Sequence, residues 1–127
     1  MTILDCFKAA LALHGTNTGE DSSLQQYAVP WTNMALSEML NTENSIREMN
    51  GEAILDAAPM LLDINAEVPY SPKLRNALIY YMASSISKDD EASDWAQEYY
   101  NRFVSEVRNA MVYNAVPIVD VYGESDE

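Results

Sequence analysis

Cysteine and histidine, which often act as nucleophile, general base or metal ligand, are scarce in this chain. Cys6 is the single cysteine and His14 the single histidine among 127 residues. Cys6 lies beside Phe7 in a segment with helical spacing, so the pattern favours a small packed hydrophobic residue over a nucleophile. With one histidine for every base-dependent mechanism, the sequence predicts a protein that is not an enzyme, although a site built from carboxylates alone stays open.

A run of acidic residues is the other candidate for chemistry; it comprises Asp89, Asp90, Glu91 and Asp94. Carboxylates bind calcium, but this run lacks the spaced oxygen ligands and the turn glycine of an EF-hand loop. Negative charge at the start of a helix is stabilised by the helix dipole. The sequence therefore predicts a helix N-terminus here, and neither a metal nor another cofactor.

The charge balance restricts the partners that this chain could bind. Seven basic and twenty acidic residues give a net charge of −13, which opposes binding to the phosphates of DNA or RNA. The lone cysteine cannot form an internal disulfide, so we expect an intracellular protein. Residues 1–13 lack the pattern of a signal peptide, and no stretch approaches the length of a membrane span, so we expect a soluble protein without membrane contact.

Hydrophobic periodicity predicts an all-α bundle of about four main helices. Thr2 is suited to cap the first helix, with Asp5 in its first turn and Gly15 at its end. A second helix is expected over residues 22–40, with either a kink or a new helix start at Pro30. Residues 41–68 have poor periodicity and predict a long irregular connector, which is either functional or contains an element that the pattern fails to show, such as a short helix over 53–62 interrupted at Pro59. Residues 60–64 are expected to pack over the bundle.

The second half predicts an antiparallel helical hairpin. Ser71 is suited to cap its first helix, with Pro72 at the first position. A short turn over residues 87–90 leads into the second helix, which ends near Tyr113. Apolar residues at intervals of three and four predict the packed faces. The residues expected to pack are Leu74, Ala77, Leu78, Tyr81, Met82 and Ser85, then Trp95, Ala96, Tyr99, Phe103, Val107, Ala110 and Met111.

Two tyrosine pairs lie on the facing helices of this hairpin. In the pairs Tyr80–Tyr81 and Tyr99–Tyr100, one member can enter the core while the other points outward. Tyrosine suits protein interfaces, so Tyr80 and Tyr100 are candidate subunit contacts, with plain surface exposure as the alternative.

The end of the chain predicts a separate segment. A helical bundle over residues 1–115 is followed by a β-prone strip and an acidic tail over 116–127. The strip is expected to form an extended arm that pairs with the sheet edge of a partner, or to fold back on the bundle. It comprises Val116, Pro117, Ile118, Val119, Asp120, Val121 and Tyr122.

The order of these segments resembles a known family of virus proteins. The likeness covers roughly residues 22–113 and is carried by Trp31-Thr32-Asn33-Met34-Ala35-Leu36, Leu62-Asp63-Ile64-Asn65-Ala66-Glu67-Val68-Pro69-Tyr70 and Leu74-Arg75-Asn76-Ala77-Leu78-Ile79-Tyr80-Tyr81-Met82-Ala83. In this order the chain resembles the head-to-tail adaptor (connector) proteins of tailed bacteriophages.

This resemblance implies a structural virion protein located at the neck, at the capsid vertex. Members form a homo-oligomeric ring, commonly of twelve copies, beneath the portal protein, where they extend the DNA channel and offer a platform for a downstream neck or tail-completion protein. A C-terminal segment often reaches the portal, and residues 116–122 are the matching candidate here. The negative charge is compatible with a channel through which DNA passes without sequence-specific binding.

Two other function classes stay open. An acidic regulatory or DNA-mimic protein would place its carboxylates in the basic cleft of a partner, but the acidic residues are scattered over several segments. A cofactor-binding bundle would use carboxylates and tyrosines, and would be recognised by a tightly bound metal or chromophore. Neither class explains the β-prone strip.

Overall fold

Helices make up most of the computed structural model. It describes the backbone of residues 1–14, 21–89 and 93–125, and the side chains of residues 1–14, 23–88 and 94–111. The helices are α1 (Ile3–His14), α2 (Asp21–Leu24), α3 (Ala28–Glu38), α4 (Leu40–Met49), α5 (Arg75–Asp89) and α6 (Ser93–Ser125), with 3₁₀ turns at Gln25–Tyr27 and Pro72–Leu74. These ranges contain no β-strand, so the predicted all-α class is confirmed.

Helix α1 begins with the predicted cap. The Asp5 N–H donates to Thr2 Oγ1, and the Thr2 N–H donates back to Asp5 Oδ2, both over 3.1 Å. This reciprocal pair satisfies helix-end donors, and the hydrogen bond from the Thr2 N–H lowers the pKa of Asp5. Cys6 is fully buried on the inner face of α1, as its spacing predicted. Gly15 lies outside the described residues.

The predicted second helix is divided in the structure. Pro30 occupies the first turn of α3, where a missing N–H breaks no helical bond, so the expectation of a new start at Pro30 is confirmed. Helix α4 was not predicted, because its buried face contains Thr42 and Glu43 and only one apolar residue, Ile46. Hydrophobic periodicity cannot detect a helix whose inner face is mostly polar.

Helix α4 ends in a Schellman motif, after which the chain continues without regular secondary structure. Gly51 has φ of +76°, and its N–H donates to the Glu48 carbonyl, while the Glu52 N–H donates to the Arg47 carbonyl over 2.8 Å. This is a Schellman end, which needs the left-handed conformation that glycine adopts without strain. The irregular chain that follows, residues 50–71, is termed the connecting segment.

The connecting segment packs over the bundle, and the short helix considered for residues 53–62 is absent from it. Its N–H and carbonyl groups pair with the start of the chain: the Ile3 N–H donates to the Ala66 carbonyl, and the Leu4 N–H donates to the Ile64 carbonyl over 2.9 Å. These bonds satisfy two orphan donors of the α1 N-terminus. The partly buried apolar residues of the segment, which pack on the core, are Leu55, Ala58, Leu61, Ile64 and Val68.

Helices α5 and α6 form the predicted hairpin. Ser71 Oγ accepts from the Lys73 N–H, with Pro72 at the first position of the turn that leads into α5. Two contacts show that the helices run antiparallel. Near the end of α5 the Ser84 hydroxyl donates to the Ala96 carbonyl at the start of α6, and Lys73, just before α5, lines a pocket with Ala110, later in α6. Helix α5 continues to Asp89, past the predicted turn start at Ser87, and residues 90–92 lie outside the described range.

Most residues predicted to pack in the hairpin are buried, Ser85 and Val107 are half-buried, and two are exposed. Trp95 and Met111 keep 55% and 46% of their surface exposed, so these two predictions are wrong. Trp95 lies in the first turn of α6 and stacks on Tyr99 with 5.8 Å between ring centroids instead of entering the core. Tyr81 and Tyr99 are buried, whereas Tyr80 and Tyr100 are partly exposed, as the paired pattern predicted.

The prediction of an extended arm over residues 116–122 is wrong. Helix α6 has 33 residues and continues through Val116–Tyr122 to Ser125; the side chains of this stretch lie outside the described residues. Valine and isoleucine are less favourable than alanine in a helix by less than about 0.7 kcal/mol each, but proline in a helix interior costs about 3 kcal/mol, and Pro117 lies inside α6. Because the stretch extends an existing helix and requires no new nucleation, the cost at Pro117 is the only large one. The proposed division at residue 115 therefore falls inside a helix.

Candidate functional site

An open groove with aromatic and charged lining lies between α3, α5 and α6. Its volume is about 630 Å³. Helix α3 contributes one stripe to it, because residues three and four apart share a helix face. The lining residues are Trp31, Met34 and Glu38 from α3, Tyr81, Ser84, Ser85 and Lys88 from α5, and Tyr100 from α6. The shape and lining suit contact with another protein.

A carboxylate joins the tyrosines of the groove. The Tyr100 hydroxyl donates to Glu38 Oε1 over 3.1 Å. Burial raises the pKa of Tyr81 to about 12, and the neighbouring Glu38 carboxylate adds to the shift. Burial and the Glu38 hydrogen bond also raise the pKa of Tyr100. Both phenols therefore stay protonated at neutral pH and act as hydrogen-bond donors.

The two predicted subunit-contact tyrosines have different surroundings. Tyr100 lines the groove, but Tyr80 does not; the Arg102 guanidinium lies 5.8 Å from the centroid of the Tyr80 ring. Arg102 Nε also donates to Glu98 Oε2 over 3.0 Å, in an exposed pair one helical turn apart. Of the two predicted contact tyrosines, only Tyr100 lies in the groove.

The connecting segment presents two exposed apolar side chains beside α3. Leu62 keeps 86% of its surface exposed and Met60 73%, the largest values among the described large hydrophobic residues. Leu61, between them, points inward: its N–H donates to Asn33 Oδ1 and its carbonyl accepts from Asn33 Nδ2, each over 2.9 Å. We term residues 60–63 the tip. The two hydrogen bonds with Asn33 and the partial burial of Leu61 hold the backbone of the tip in place between its two exposed side chains.

A buried ion pair fixes the base of the connecting segment. Glu43 is 2% exposed; its Oε2 accepts from Arg47 Nε over 2.7 Å and its Oε1 accepts from the Ser71 N–H over 2.8 Å. Arg47 also donates to the carbonyls of Ala53 and Pro69, near the two ends of the segment. A charge-assisted network of this kind positions an irregular chain that has no regular backbone ladder of its own.

Two potentially reactive groups are buried. Burial raises the pKa of the Cys6 thiol to about 11, so little thiolate is present at neutral pH. Ser87 Oγ lies 3.2 Å from His14 Nδ1, but Ser87 is 0% exposed between α1 and α5. Ser87 is thus enclosed, whereas Cys6 lines a cavity of about 140 Å³ together with Met39, Tyr70 and Leu78.

No cluster of three or more metal-ligating side chains occurs within residues 1–14, 23–88 and 94–111. Every helix in the described part of the chain is too short or too polar to span a membrane.

Comparison with protein-family models, with curated proteins and with solved structures gives no match. The function must therefore be argued from the fold, the groove and the tip themselves.

Sequence reasoning missed most of this site. Trp31, Met34 and Glu38 follow the spacing of a helix face, but nothing in the sequence distinguishes an exposed stripe beside a groove from one that is buried. The tip could have been suspected from Asn33 and Asn44, since each clamps a backbone N–H and carbonyl of the connecting segment. Asparagine on a helix that faces an irregular segment is a usable signal for such a clamp.

Proposed function

We propose that this protein is a head-to-tail adaptor of a tailed bacteriophage. In this role, copies form a ring beneath the portal protein, extend the DNA channel and offer a platform for the downstream neck or tail-completion protein. The task requires contact surfaces and no catalysis. Support comes from the order of sequence segments that resembles the adaptor family, together with the all-α fold that the resemblance implies.

The observation that carries the proposal is the length of α6. Helix α6 has 33 residues, about 50 Å at ~1.5 Å per residue, whereas its partner α5 has 15. Since Lys73, just before α5, already lies beside Ala110, the helix continues past its partner over residues 112–125. We term these residues the stem. A stem beyond the bundle suits a subunit that reaches a second protein.

The composition of the stem favours a bound state. The stem contains several β-branched residues and Pro117, which lower the stability of a helix that no partner covers. We infer that the portal protein covers it, by receiving a helix in a groove rather than by adding a strand to a sheet. The portal-contact residues in this proposal are Val116, Pro117, Ile118, Val119, Asp120, Val121 and Tyr122.

The net charge of −13 agrees with a channel component. DNA must slide through an adaptor ring, and each phosphate neutralised by a basic residue would hold it in place. Many acidic copies around the duplex instead give a repulsive wall. The localisation that follows is the neck of the virion, after synthesis in the host cytoplasm.

Co-sedimentation with the portal ring from the same genome tests this function. Full-length protein should sediment with the ring at a fixed number of copies, and a chain ending at Ala115 should lose binding. Binding that survives truncation would keep the adaptor role and overturn the stem as its docking element. Binding by neither form, with an intact portal ring, would overturn the adaptor role and favour the acidic regulator. Antibody labelling of purified virions provides the second readout, with signal expected at the neck.

A further inference from the structure

The tip and the groove lie on opposite flanks of α3. Trp31 and Met34 face the groove, whereas Asn33, between them in sequence, holds Leu61 of the tip. At ~100° per residue, Asn33 points about 100° away from Met34 and about 160° away from Trp31 around the helix axis. The core occupies a third direction, through buried residues such as Leu36. One copy therefore offers an apolar projection on one side and, on the other, a groove lined by aromatic, polar and charged side chains.

We propose that the tip of one copy enters the groove of the next, so that Met60 and Leu62 pack against the face of α3 and the tyrosines in a head-to-tail contact. This inference rests on the proposed adaptor function, for which it specifies the lateral contact between neighbouring copies. Heterologous contacts of this kind close into a ring when the rotation between copies divides a full turn. A projection and a groove on opposite flanks are the arrangement that such a contact needs.

Charge complementarity favours a second copy as the occupant. Lys88 lies in the groove together with Glu38, whose carboxylate accepts from the Tyr100 hydroxyl, and Asp63 follows Leu62 in the tip. When the tip enters the groove of a neighbour, Asp63 arrives with its charge opposite to that of Lys88. Because each copy carries a net charge of −13, copies repel one another unless apolar burial and matched charges offset the repulsion at the contact.

The contact should be weak between two isolated copies. Standard stable interfaces bury about 800 Å² on each partner, and a tip with two exposed apolar side chains supplies only a part of that area. Stable association then depends on ring closure and on the portal surface above the ring. An experiment that captures transient contacts is therefore needed.

Disulfide trapping between two single-cysteine-addition variants tests the contact. Leu62→Cys places a thiol on the tip, and Met34→Cys places one in the groove; both positions are exposed, so the fold should tolerate the changes. Native Cys6 is buried with its pKa raised to about 11 and should not react. Under a mild oxidant, the mixture should give a covalent dimer with one chain of each kind. Ser105→Cys, exposed on α6, replaces Met34→Cys in the matched control mixture, where the yield should fall at least fivefold.

Two results would overturn the contact. Equal dimer yield from Leu62→Cys alone would mean that tip meets tip, which is a two-fold and not a head-to-tail contact. A yield from the mixture no higher than the Ser105→Cys control would mean that the tip does not enter the groove.

The charge pair gives an independent readout. Lys88→Glu in the groove-side chain should lower the trapping yield about two- to fivefold, as expected for losing one exposed ion pair, and Asp63→Lys in the tip-side chain should restore it. Failure of the second change to restore the yield would overturn the charge pairing. The portal experiment and the trapping experiment test different proposals. Trapping without portal binding would keep the contact between tip and groove and remove the adaptor role. Portal binding without trapping would keep the adaptor role and remove the contact.

Discussion

Arg47 Nε donates to Glu43 Oε2 over 2.7 Å, and this pair connects α4 with both ends of the connecting segment. Glu43 is enclosed, with 3% of its side chain exposed, while Arg47 keeps 21%. The chain contains a second pair of the same spacing, Glu98 and Arg102, in which both side chains are 48% exposed. The two pairs differ in burial and not in sequence pattern, so they should differ in what they contribute to stability.

Arg47→Ala should lower the free energy of unfolding by about 3 kcal/mol, because it leaves the buried Glu43 carboxylate without its charged partner. Arg102→Ala is the matched control and should change stability far less, because water screens an exposed pair. Urea unfolding followed by circular dichroism measures both. Similar losses in the two variants would contradict the assignment of Glu43 as the anchor of the connecting segment.

The Asn33 clamp on the tip can be removed without touching the core. Asn33→Ala should lower the free energy of unfolding by about 2 kcal/mol, because it removes two hydrogen bonds and leaves the partly buried Leu61 backbone groups unpaired. Amide hydrogen exchange at Leu61 should become much faster. Asn33→Asp keeps an acceptor for the Leu61 N–H but places a carboxylate against the Leu61 carbonyl. Unchanged protection of the Leu61 amide in Asn33→Ala would show that the clamp does not hold the tip.

Removing the Thr32 hydroxyl should raise the free energy of unfolding, unlike the two preceding changes. Its hydroxyl is fully buried, and within the described residues it has no hydrogen-bond partner. Thr32→Val keeps the shape and removes the unpaired hydroxyl, so the free energy of unfolding should rise by about 1 kcal/mol. Thr42→Val is the matched control, since the Thr42 hydroxyl lies 3.7 Å from Met111 Sδ and has a weak partner to lose. A loss of stability in Thr32→Val would mean that the hydroxyl has a partner in solution.

Two buried tyrosines predict alkaline instability. Burial raises the pKa of Tyr70 and of Tyr81 to about 12, from the ordinary value of 10.0. Above pH 10 the unfolded chain releases these protons while the folded chain retains them, so stability should fall as pH rises from 10 to 12, by up to about 2–3 kcal/mol for each group. Tyr81→Phe should make that decline shallower in urea unfolding at several pH values. An unchanged slope would contradict the assigned shift.

The sequence was most informative where local chemistry determines structure. The Thr2 cap, the Pro30 start and the Ser71–Pro72 cap depend on nearest neighbours, and all three are present. Helix α4 and the position of the tip were missed because polar groups fix them: the burial of Glu43 depends on Arg47, and the course of the connecting segment depends on Asn33. Such contacts join residues whose pairing no periodicity reveals.

The candidate site was predictable only in part. Paired tyrosines correctly indicated that Tyr100 has one side outside the core, but its position beside Glu38 depends on how α3 crosses α6. Trp31 and Met34 have the same helical spacing as the residues of a buried helix face, so the sequence does not show that they line a groove. The role of the tyrosines in subunit contact stays a prediction, which the trapping experiment addresses for Tyr100 through its groove.

The helical stem gives the last prediction. A chain ending at Ala115 should keep the unfolding midpoint of the full-length protein, because the described core residues end at Ala110. It should lose the helical circular-dichroism signal of residues 116–125, since α6 runs to Ser125. Replacing Val119 with glycine in the full-length chain is the matched control: it should lower the helical signal of the stem because glycine is about 1 kcal/mol less favourable than alanine in a helix. If truncation removed no helical signal, the segment would be extended in solution, and docking through a sheet edge would replace docking as a helix.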